Sequence, residues 1–442
     1  MIRALALVLF LAACDGGRPP DPTDAKEATS APQVPTTPKR LRRAPKTSAE
    51  LPTTKAEIYL TNLDGQIAEL TRLVSDKPDL IANVQKLSAA HQLRGQFRGD
   101  LDEMQMAIDG ASTCIQREPL NASCWLMRAE QQQSLHRFKE ARADLERAKQ
   151  LGVDPARAAA LEAELDWNDG LYDRAIAAIR KARRERPSTA AWLREAQLHH
   201  DLGAEDEADA AFEKAENLIK DVAPLPVAHL NVQRGIQKAD RGLLEEALLF
   251  FREAVARMPT YVAANEHLAE ALHALGQDEE AMAIYERVVA LSDDPEFAHA
   301  LGALYATHEK QERARELETK ARARYEELLK KYPEAMYWHA SEFFLSTDAP
   351  KRALDLLKRN VALRPNSASW VALARAELRN GKATEAKASI DRALSMPVRS
   401  ASLFWIASIV YRRAGHLAEA DAFRDRARRM NPRIEAVEGA TQ

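Results

Sequence analysis

The sequence has few cysteines, few aromatic residues and, after Ala13, no long apolar run. Three cysteines occur in 442 residues, and aromatic residues make up 6% of the chain. No segment after the N-terminus approaches the roughly 18 apolar residues of a membrane-spanning helix. Gly-rich phosphate loops, Gly-x-Ser-x-Gly elbows and zinc-type cysteine pairs do not occur, and a net charge of −3 gives no general attraction to nucleic acid. We therefore expect no enzyme, no cofactor, no bound metal and no nucleic-acid partner.

The extreme N-terminus has the organisation of an export signal. Arg3 precedes an apolar run from Ala4 to Ala13, which is too short to span a bilayer but has the length of a signal-peptide core. The apolar run is followed by a cysteine, and the four residues Leu11-Ala12-Ala13-Cys14 resemble the lipobox of bacterial lipoproteins. The resemblance implies that residues 1–13 are removed and that Cys14 becomes lipidated. A plain secretory signal that ends in small residues is the alternative.

Residues 14–54 differ in composition from the rest of the chain. Prolines are scattered among Ser, Thr and charged residues, and few apolar side chains are available for a core. The composition predicts a disordered tether between Cys14 and the folded part.

A repeat runs through most of the remaining sequence. The segments RFKEARADLERAKQ, LYDRAIAAIRKARRERP, LLEEALLFFREAVARMP and HLAEADAFRDRARRMNP are variants of one pattern, with a period of about 34 residues. An alanine occupies the equivalent place in six units: Ala141, Ala175, Ala247, Ala281, Ala353 and Ala420. Small residues let helices approach closely, and the period predicts a stack of similar units.

This pattern resembles the tetratricopeptide repeat (TPR). The resemblance implies an all-α, right-handed superhelical solenoid of about 9–10 helix–turn–helix repeats. It implies a solenoid over 120–434, capping helices and a degenerate repeat over 55–119, and a disordered tail over 435–442. Extra residues around Pro224 and Pro226 predict a bend or a longer loop, and the second helix of the unit that starts at Pro295 is lengthened. Glycines are placed in the turns between the two helices of six units: Gly170, Gly203, Gly242, Gly276, Gly381 and Gly415.

Two cysteines remain inside the folded part. Cys114 and Cys124 flank Pro119 at similar distances from a turn between two antiparallel helices. In an exported protein this spacing is compatible with a disulfide, and two buried thiols are the alternative.

The histidines give weak signals for metal binding. His267 and His273 form H-x-x-E-x-x-H with Glu270, but a spacing of six residues puts the two imidazoles about 240° apart around a helix. They do not share a face as the histidines of a zinc protease do.

Candidate binding residues follow from the resemblance, because the first helix of each repeat lines a concave groove in TPR proteins. Transferring the groove positions gives a stripe that is acidic and histidine-bearing in the middle and basic at the C-terminal end. Its members are Trp167, His200, His229, Glu266, Glu270, His273, His299, Trp338, Glu342, Arg375, Arg379, Trp405, Arg412 and Arg413.

Several interpretations of this stripe stay open. Its histidines indicate pH sensing or weak metal capture, or they are polar surface. Trp338 and Trp405 anchor a peptide or pack between helices. The basic end favours an acidic segment or a C-terminal carboxylate as the ligand, although the Lys/Asn/Arg pattern of chaperone-type carboxylate clamps is not matched.

The sequence as a whole predicts a lipid-anchored scaffold of the bacterial cell envelope, attached to the inner or the outer membrane. Its groove is expected to bind a protein or peptide partner and to support the assembly of secretion, pilus or cell-wall machinery. The alternative is an accessory of a polysaccharide-export or cell-wall enzyme system that contacts glycan or peptidoglycan.

Overall fold

The fold is a stack of helical hairpins. The computed structural model describes residues 48–77, 79–220 and 222–439, and these ranges contain no strand. The N-terminal helices are α1 (Ala56–Asp76), α2 (Ile81–Arg98) and α3 (Leu101–Arg117). Nine full hairpins follow within the described ranges. With α2 and α3 as a degenerate unit, the predicted all-α solenoid of about nine to ten repeats is confirmed.

The first helices of the nine hairpins begin 33 to 38 residues apart, close to the period of the sequence repeat. They are α4 (Ala122–Ser134), α6 (Pro155–Asn168), α8 (Thr189–Asp201), α10 (Pro224–Asp240), α12 (Val262–Ala274), α14 (Pro295–Thr307), α16 (Pro333–Ser346), α18 (Ser367–Arg379) and α20 (Ala401–Arg413). The second helices are α5 (Phe138–Gln150), α7 (Tyr172–Glu185), α9 (Glu205–Asn217), α11 (Leu244–Arg257), α13 (Asp278–Leu291), α15 (Gln311–Lys331), α17 (Pro350–Leu363), α19 (Ala383–Leu394) and α21 (Leu417–Met430). The described chain ends with α22 (Ile434–Gly439).

Caps and turns set the ends of these helices. Ser188 and Asn366 accept hydrogen bonds from backbone N–H groups in the first turns of α8 and α18, which satisfies donors that a helix leaves unpaired. The glycines predicted for the turns all have a positive φ, a conformation that side chains with a Cβ resist. In three other units the turn holds His136, Glu309 or Asp348, each with φ 58°. The turn geometry is therefore kept even where glycine is missing.

Close helix packing follows from the repeated alanines. All six alanines of the repeat pattern are fully buried, with 0% exposure. Each second helix packs on the first helix of its own hairpin and then on the first helix of the next. A hairpin thus buries its apolar face only against its neighbours, as a solenoid requires.

The extra residues around Pro224 and Pro226 lengthen both the loop and the helix that follows. Six residues separate α9 from α10, compared with three between α7 and α8, so the longer loop is observed. The two prolines themselves lie in the first turn of α10, which has 17 residues compared with 13 in α8. Proline is tolerated there because the first N–H groups of a helix have no intrahelical partner. The lengthened second helix is observed as α15, with 21 residues.

Both ends of the folded part are more ordered than predicted. The tether prediction is wrong for residues 48–54, since Ser48 begins a short 3-10 turn and is 2% exposed. The tail prediction is wrong for residues 435–439, which belong to α22, where Glu438 accepts a hydrogen bond of 2.6 Å from Ser402. The predicted signal peptide, Cys14, the rest of the tether and residues 440–442 lie outside the described residues.

Successive turns of the superhelix are in direct contact. We call this contact zone the seam. The backbone N–H of Ser367 donates to Tyr172 Oη at 2.7 Å across 195 residues of sequence, and the N–H of Arg399 donates to the carbonyl of Asp201 at 2.8 Å. Arg433 and Glu245 form an ion pair of 2.8 Å. One superhelical turn therefore takes between five and six repeats of about 34 residues.

In the described ranges, each helix is too short or too polar to pass through a lipid bilayer.

Candidate functional site

The first helices of successive hairpins line the inside of the superhelix. Helix α10 contacts α12, and α18 contacts α20, so their facing residues form one continuous surface, which we call the inner face. Burial is greatest at α10, where every residue from Val227 to Ala239 is buried. Of the predicted groove residues, His229 is therefore enclosed, whereas others, such as His273 and Arg379, are exposed.

Many inner-face residues bind one another across neighbouring first helices. Arg194 on α8 pairs with Glu164 on α6, and Gln197 on α8 donates to Gln233 on α10 at 2.8 Å. Because each pair joins adjacent repeats, these groups stabilise the stack. They are correspondingly less available to a ligand.

His200 lies at the centre of the strongest polar cluster. Its two ring nitrogens contact Glu205 at 3.0 Å and Asp240 at 3.1 Å. Burial opposes the charge, but hydrogen bonds to Asp240 and Glu205 outweigh it and raise the pKa of His200 to about 10. The imidazole is a fixed cation at neutral pH that bridges three helices. Burial and the nearby carboxylates raise the pKa of Asp201 to about 6.

A second cluster contains carboxyl groups from α12 and α14. Burial and the charges of Glu296 and Glu270 raise the pKa of Glu266 well above its usual value. Burial also acts on Glu296, but His339, at 2.7 Å, prevails and lowers its pKa. The raised pKa favours the neutral form of Glu266, and the lowered pKa favours the charged form of Glu296. The acidic stripe predicted from the sequence is therefore not uniformly charged.

The remaining predicted histidines lie in separate environments. His229 is buried, contacts Tyr261 Oη at 3.1 Å and has a pKa lowered by burial to about 4. His273 pairs with Asp278 at 2.7 Å, and His299 contacts Ser346 Oγ at 2.9 Å. Each histidine has a different partner, and no cluster of three or more metal-ligating side chains forms within the described ranges. The carboxylate of Glu270 lies 3.0 Å from His267 Nδ1.

The tryptophans do not form an aromatic binding surface. Trp405 is 5% exposed and packs in the core of the last repeats, so its prediction as a groove anchor is wrong. Trp338 is half-buried, with the guanidinium of Arg364 5.5 Å from the centre of its ring. Trp167 packs edge-on against Tyr172 at 4.7 Å. The large rings fill the spaces between helices, the alternative that the sequence left open.

The basic end is less continuous than predicted. Arg375 is buried and pairs with Glu342. Arg379, Arg412 and Arg413, at the C-terminal ends of α18 and α20, are exposed, and Arg412 pairs with Asp421. The exposed positive charge is thus at the rim of the inner face rather than along it.

The two inner cysteines are bonded to each other in the structure. The Cα atoms of Cys114 and Cys124 are 5.7 Å apart, and both residues are fully buried beside Ile81 and Val84. The disulfide ties the end of α3 to the start of α4.

Sequence reasoning missed the residues that hold the segment from Ser48 to Thr54. Arg257 donates to the carbonyl oxygens of Ser48 at 2.5 Å and Leu51 at 2.8 Å, and to Thr53 Oγ1 at 3.0 Å. Asn231 donates to Ser48 Oγ at 2.6 Å. Arg257 resembles any arginine at the end of a second helix, so no local pattern marks its role.

Together, the hairpin stack and its continuous inner face define an α-helical repeat scaffold. A family model described as tetratricopeptide repeat matches residues 239–304, and a second model with the same description matches residues 160–221 and 371–432. The chain is a tetratricopeptide-repeat protein. Repeats of this kind are protein-binding scaffolds and are generally non-catalytic.

Similar solved structures have low sequence identity. A tetratricopeptide repeat protein from Parabacteroides merdae is 16% identical over 57% of this chain and 97% of that chain, with a TM-score of 0.35. The human IFIT1 dimer with PPP-AAAA is 15% identical over 86% of this chain and 96% of that chain, with a TM-score of 0.42. Yeast Tom70 is 15% identical over 87% and 92%, with a TM-score of 0.39. No curated protein sequence matches the chain.

Proposed function

We propose that the protein is a lipid-anchored scaffold of the bacterial cell envelope that holds a peptide segment of a protein partner and supports assembly of an envelope complex. The observation that carries the proposal is the binding of Ser48–Thr54 by the repeats. Arg257 holds this segment chiefly by main-chain carbonyl groups, which any peptide offers. The array thus holds a segment outside the repeats by its main chain, and a partner's segment is the natural further ligand.

The partner is expected to be acidic where it meets the rim. Arg379 and Arg413 are exposed at the ends of neighbouring first helices, and positive charge at a rim steers an acidic segment and fixes its orientation. Arg375 contributes to the stack through Glu342 rather than to this surface.

Charge reversal at the rim tests the proposal. Arg379→Glu/Arg413→Glu is compared with Arg180→Glu/Arg184→Glu, which reverses two exposed charges on the second helix α7. Proteins crosslinked to the chain in the intact envelope are identified by mass spectrometry. We expect a defined set to be lost with the rim variant and retained with the α7 variant. An unchanged set of crosslinked proteins in the rim variant would contradict recognition at the rim. If no protein is crosslinked to the chain but both variants bind purified peptidoglycan equally, the glycan alternative is favoured.

The anchor is tested separately. The lipobox-like residues Leu11-Ala12-Ala13-Cys14 support cleavage before Cys14 and acylation there, and two or more acyl chains give stable membrane attachment. The segment from Cys14 to Ser48 reaches at most about 120 Å when extended, so the repeats stay near the membrane. Mass spectrometry of the mature N-terminus is expected to find acylated Cys14. The Cys14→Ser variant is expected to be absent from the membrane fraction. An unmodified N-terminus would contradict the anchor.

A further inference from the structure

A cavity at the seam has an unusual concentration of positive charge. It has a volume of about 300 Å³ and lies where the turn between α8 and α9 meets the start of α20 and one face of α21. Its lining residues are Leu202, Gly203, Arg399, Arg426, Arg429 and Met430. We call this cavity the seam pocket.

The seam pocket is held in shape by contacts between the two superhelical turns. The N–H of Arg399 donates to the carbonyl of Asp201 at 2.8 Å. Gly203 has φ +74°, and a Cβ there would lie 3.3 Å from Arg399 Cβ. The guanidinium of Arg399 is fixed by the carbonyl oxygens of Met396 and of Val398, the latter at 2.7 Å. One wall of the pocket is thus built before any ligand arrives.

Its positive charge is not neutralised by the residues that line it. Three of the six described lining residues are arginines, and none is a carboxylate. The guanidinium of Arg426 lies over the ring of Phe404 at 4.0 Å, which supplies no full negative charge. Burial, and then the charge of Arg426, lower the pKa of Arg399, which indicates that these two cations repel each other.

Other arginines of the same helix show the contrast. Arg424 pairs with Asp421 at 2.7 Å, and Arg428 pairs with Glu435 at 2.6 Å. Arg426 and Arg429, on the face toward the pocket, line it instead. The arginines on one side of α21 are therefore paired with carboxylates, and those on the other side face the pocket.

We propose that the seam pocket binds a phosphate group carried by a small molecule or a lipid. The two exposed arginines of α21 that line the pocket, Arg426 and Arg429, suit a phosphate dianion, because a guanidinium can donate two parallel hydrogen bonds to phosphate oxygen atoms. Arg399, whose Nη1 already donates to two carbonyl oxygens, adds positive charge beside them. A cavity of about 300 Å³ is at the small end of ligand pockets, which fits a phosphate with a short attachment. The bound phosphate joins α21 to the turn after α8 and so ties the two superhelical turns together. This site is separate from the rim and does not depend on a peptide partner.

Inorganic phosphate is the first probe, titrated calorimetrically at low ionic strength and about pH 8 into the full chain carrying Cys14→Ser. Succinate, a dicarboxylate that also carries two negative charges at this pH, is the comparison anion. Arg426→Gln/Arg429→Gln is compared with Arg424→Gln/Arg428→Gln, and circular dichroism checks that both variants fold. We expect saturable phosphate binding that weakens at least tenfold in the first variant and changes less than twofold in the second. Succinate is expected to bind much more weakly than phosphate.

The source of the phosphate is distinguished by two further probes. Glucose 1-phosphate represents a soluble ester, and vesicles of phosphatidylglycerol, compared with phosphatidylcholine, represent a lipid headgroup. The Cys14→Ser background prevents acyl chains from carrying the protein to the vesicles. Binding of either probe that is lost only in Arg426→Gln/Arg429→Gln supports the proposal and names the source. Absence of saturable phosphate binding, equal weakening in both variants, or succinate binding as tight as phosphate overturns it.

Discussion

Tyr172 Oη accepts a hydrogen bond from the backbone N–H of Ser367, 195 residues later in the chain. The bond joins the second helix of one repeat to the start of another repeat one superhelical turn away. Gly170 lies in the same contact, where a Cβ would be 3.0 Å from the carbonyl oxygen of Pro365. Pairs such as these hold successive turns of the superhelix together, so repeats far apart in sequence stabilise each other.

Glycine at the seam is expected to be less replaceable than glycine elsewhere. Gly242 and Gly276 occupy the same turn of neighbouring repeats, with φ +72° and +74°. A Cβ at Gly242 would lie 2.3 Å from Asn431 Oδ1, whereas nothing lies within 4 Å at Gly276. Gly276→Ala is expected to lower the free energy of unfolding by about 1–2 kcal/mol through the left-handed backbone alone.

Gly242→Ala is expected to cost about 1 kcal/mol more, because the clash also disturbs the hydrogen bond from the N–H of Arg433 to Asn431 at 2.8 Å. The free energies of unfolding come from denaturant titration, and small-angle scattering reports whether the superhelix opens. Equal losses in the two variants would show that the seam contributes little at this point.

The disulfide is expected to be present in protein taken from an oxidising compartment. Cys114 and Cys124 are separated by 10 residues, and closing so short a loop stabilises by about 3 kcal/mol in the chain-entropy model. Cys114→Ser/Cys124→Ser is therefore expected to lower the free energy of unfolding by about that amount. In a Cys14→Ser background, a thiol assay of the unreduced, denatured protein is expected to find no free thiol, and two free thiols would refute the bond.

The local features of the fold could be predicted from the sequence because each depends on one repeat. A turn glycine such as Gly170 and a buried alanine such as Ala175 act within a hairpin, so their spacing gives the helices directly. The contact between Tyr172 and Ser367 could not be predicted in this way. It arises from small rotations added over more than five repeats, and no local pattern encodes the sum.

The candidate site was predicted less well, since the groove positions were transferred one repeat at a time. Glu342 and Arg375 were each assigned to a ligand, yet they bind each other across adjacent repeats. The sequence did contain a signal for this pairing. Glu164 and Arg194, like Glu342 and Arg375, are opposite charges at inner positions of adjacent repeats, and they also form an ion pair. Trp405 could not be distinguished from an exposed tryptophan by its position in the repeat. It belongs to a core that also contains Ile434 at the start of α22, and the predicted tail began one residue later.

Loss of Arg257 is expected to release the N-terminal segment. Its guanidinium is the common donor to Ser48, Leu51 and Thr53, so Arg257→Gln removes most of the contacts that hold residues 48–54. Hydrogen exchange of the peptide that contains these residues is expected to accelerate at least tenfold. Arg252→Gln is the matched control, because Arg252 is on the same helix and pairs with Glu280 at 2.8 Å. Unchanged exchange in Arg257→Gln would show that other contacts suffice.

The cluster around His200 is expected to make stability depend on pH above neutrality. The pKa of His200 is raised in the folded protein from 6.5 to about 10, so between these values the folded state binds a proton that the unfolded state has lost. The contribution is fully present below about pH 6.5 and disappears as the pH rises toward 10, with a slope of at most about 1.4 kcal/mol per pH unit for one proton. Asp201, with a pKa of about 6, acts mainly below this window.

His200→Gln keeps a hydrogen-bonding side chain but cannot carry the charge. At pH 7 the variant is expected to be less stable than the wild type by about 3 kcal/mol, since the imidazolium makes two hydrogen bonds to carboxylates and each contributes about 1.5–3 kcal/mol. The difference is expected to shrink steadily toward pH 10, as measured by urea unfolding at each pH. Asp240→Asn removes one of the two acceptors and should move the loss of stability to lower pH. A constant difference between wild type and His200→Gln from pH 7 to 10 would mean that the imidazole is neutral in the fold.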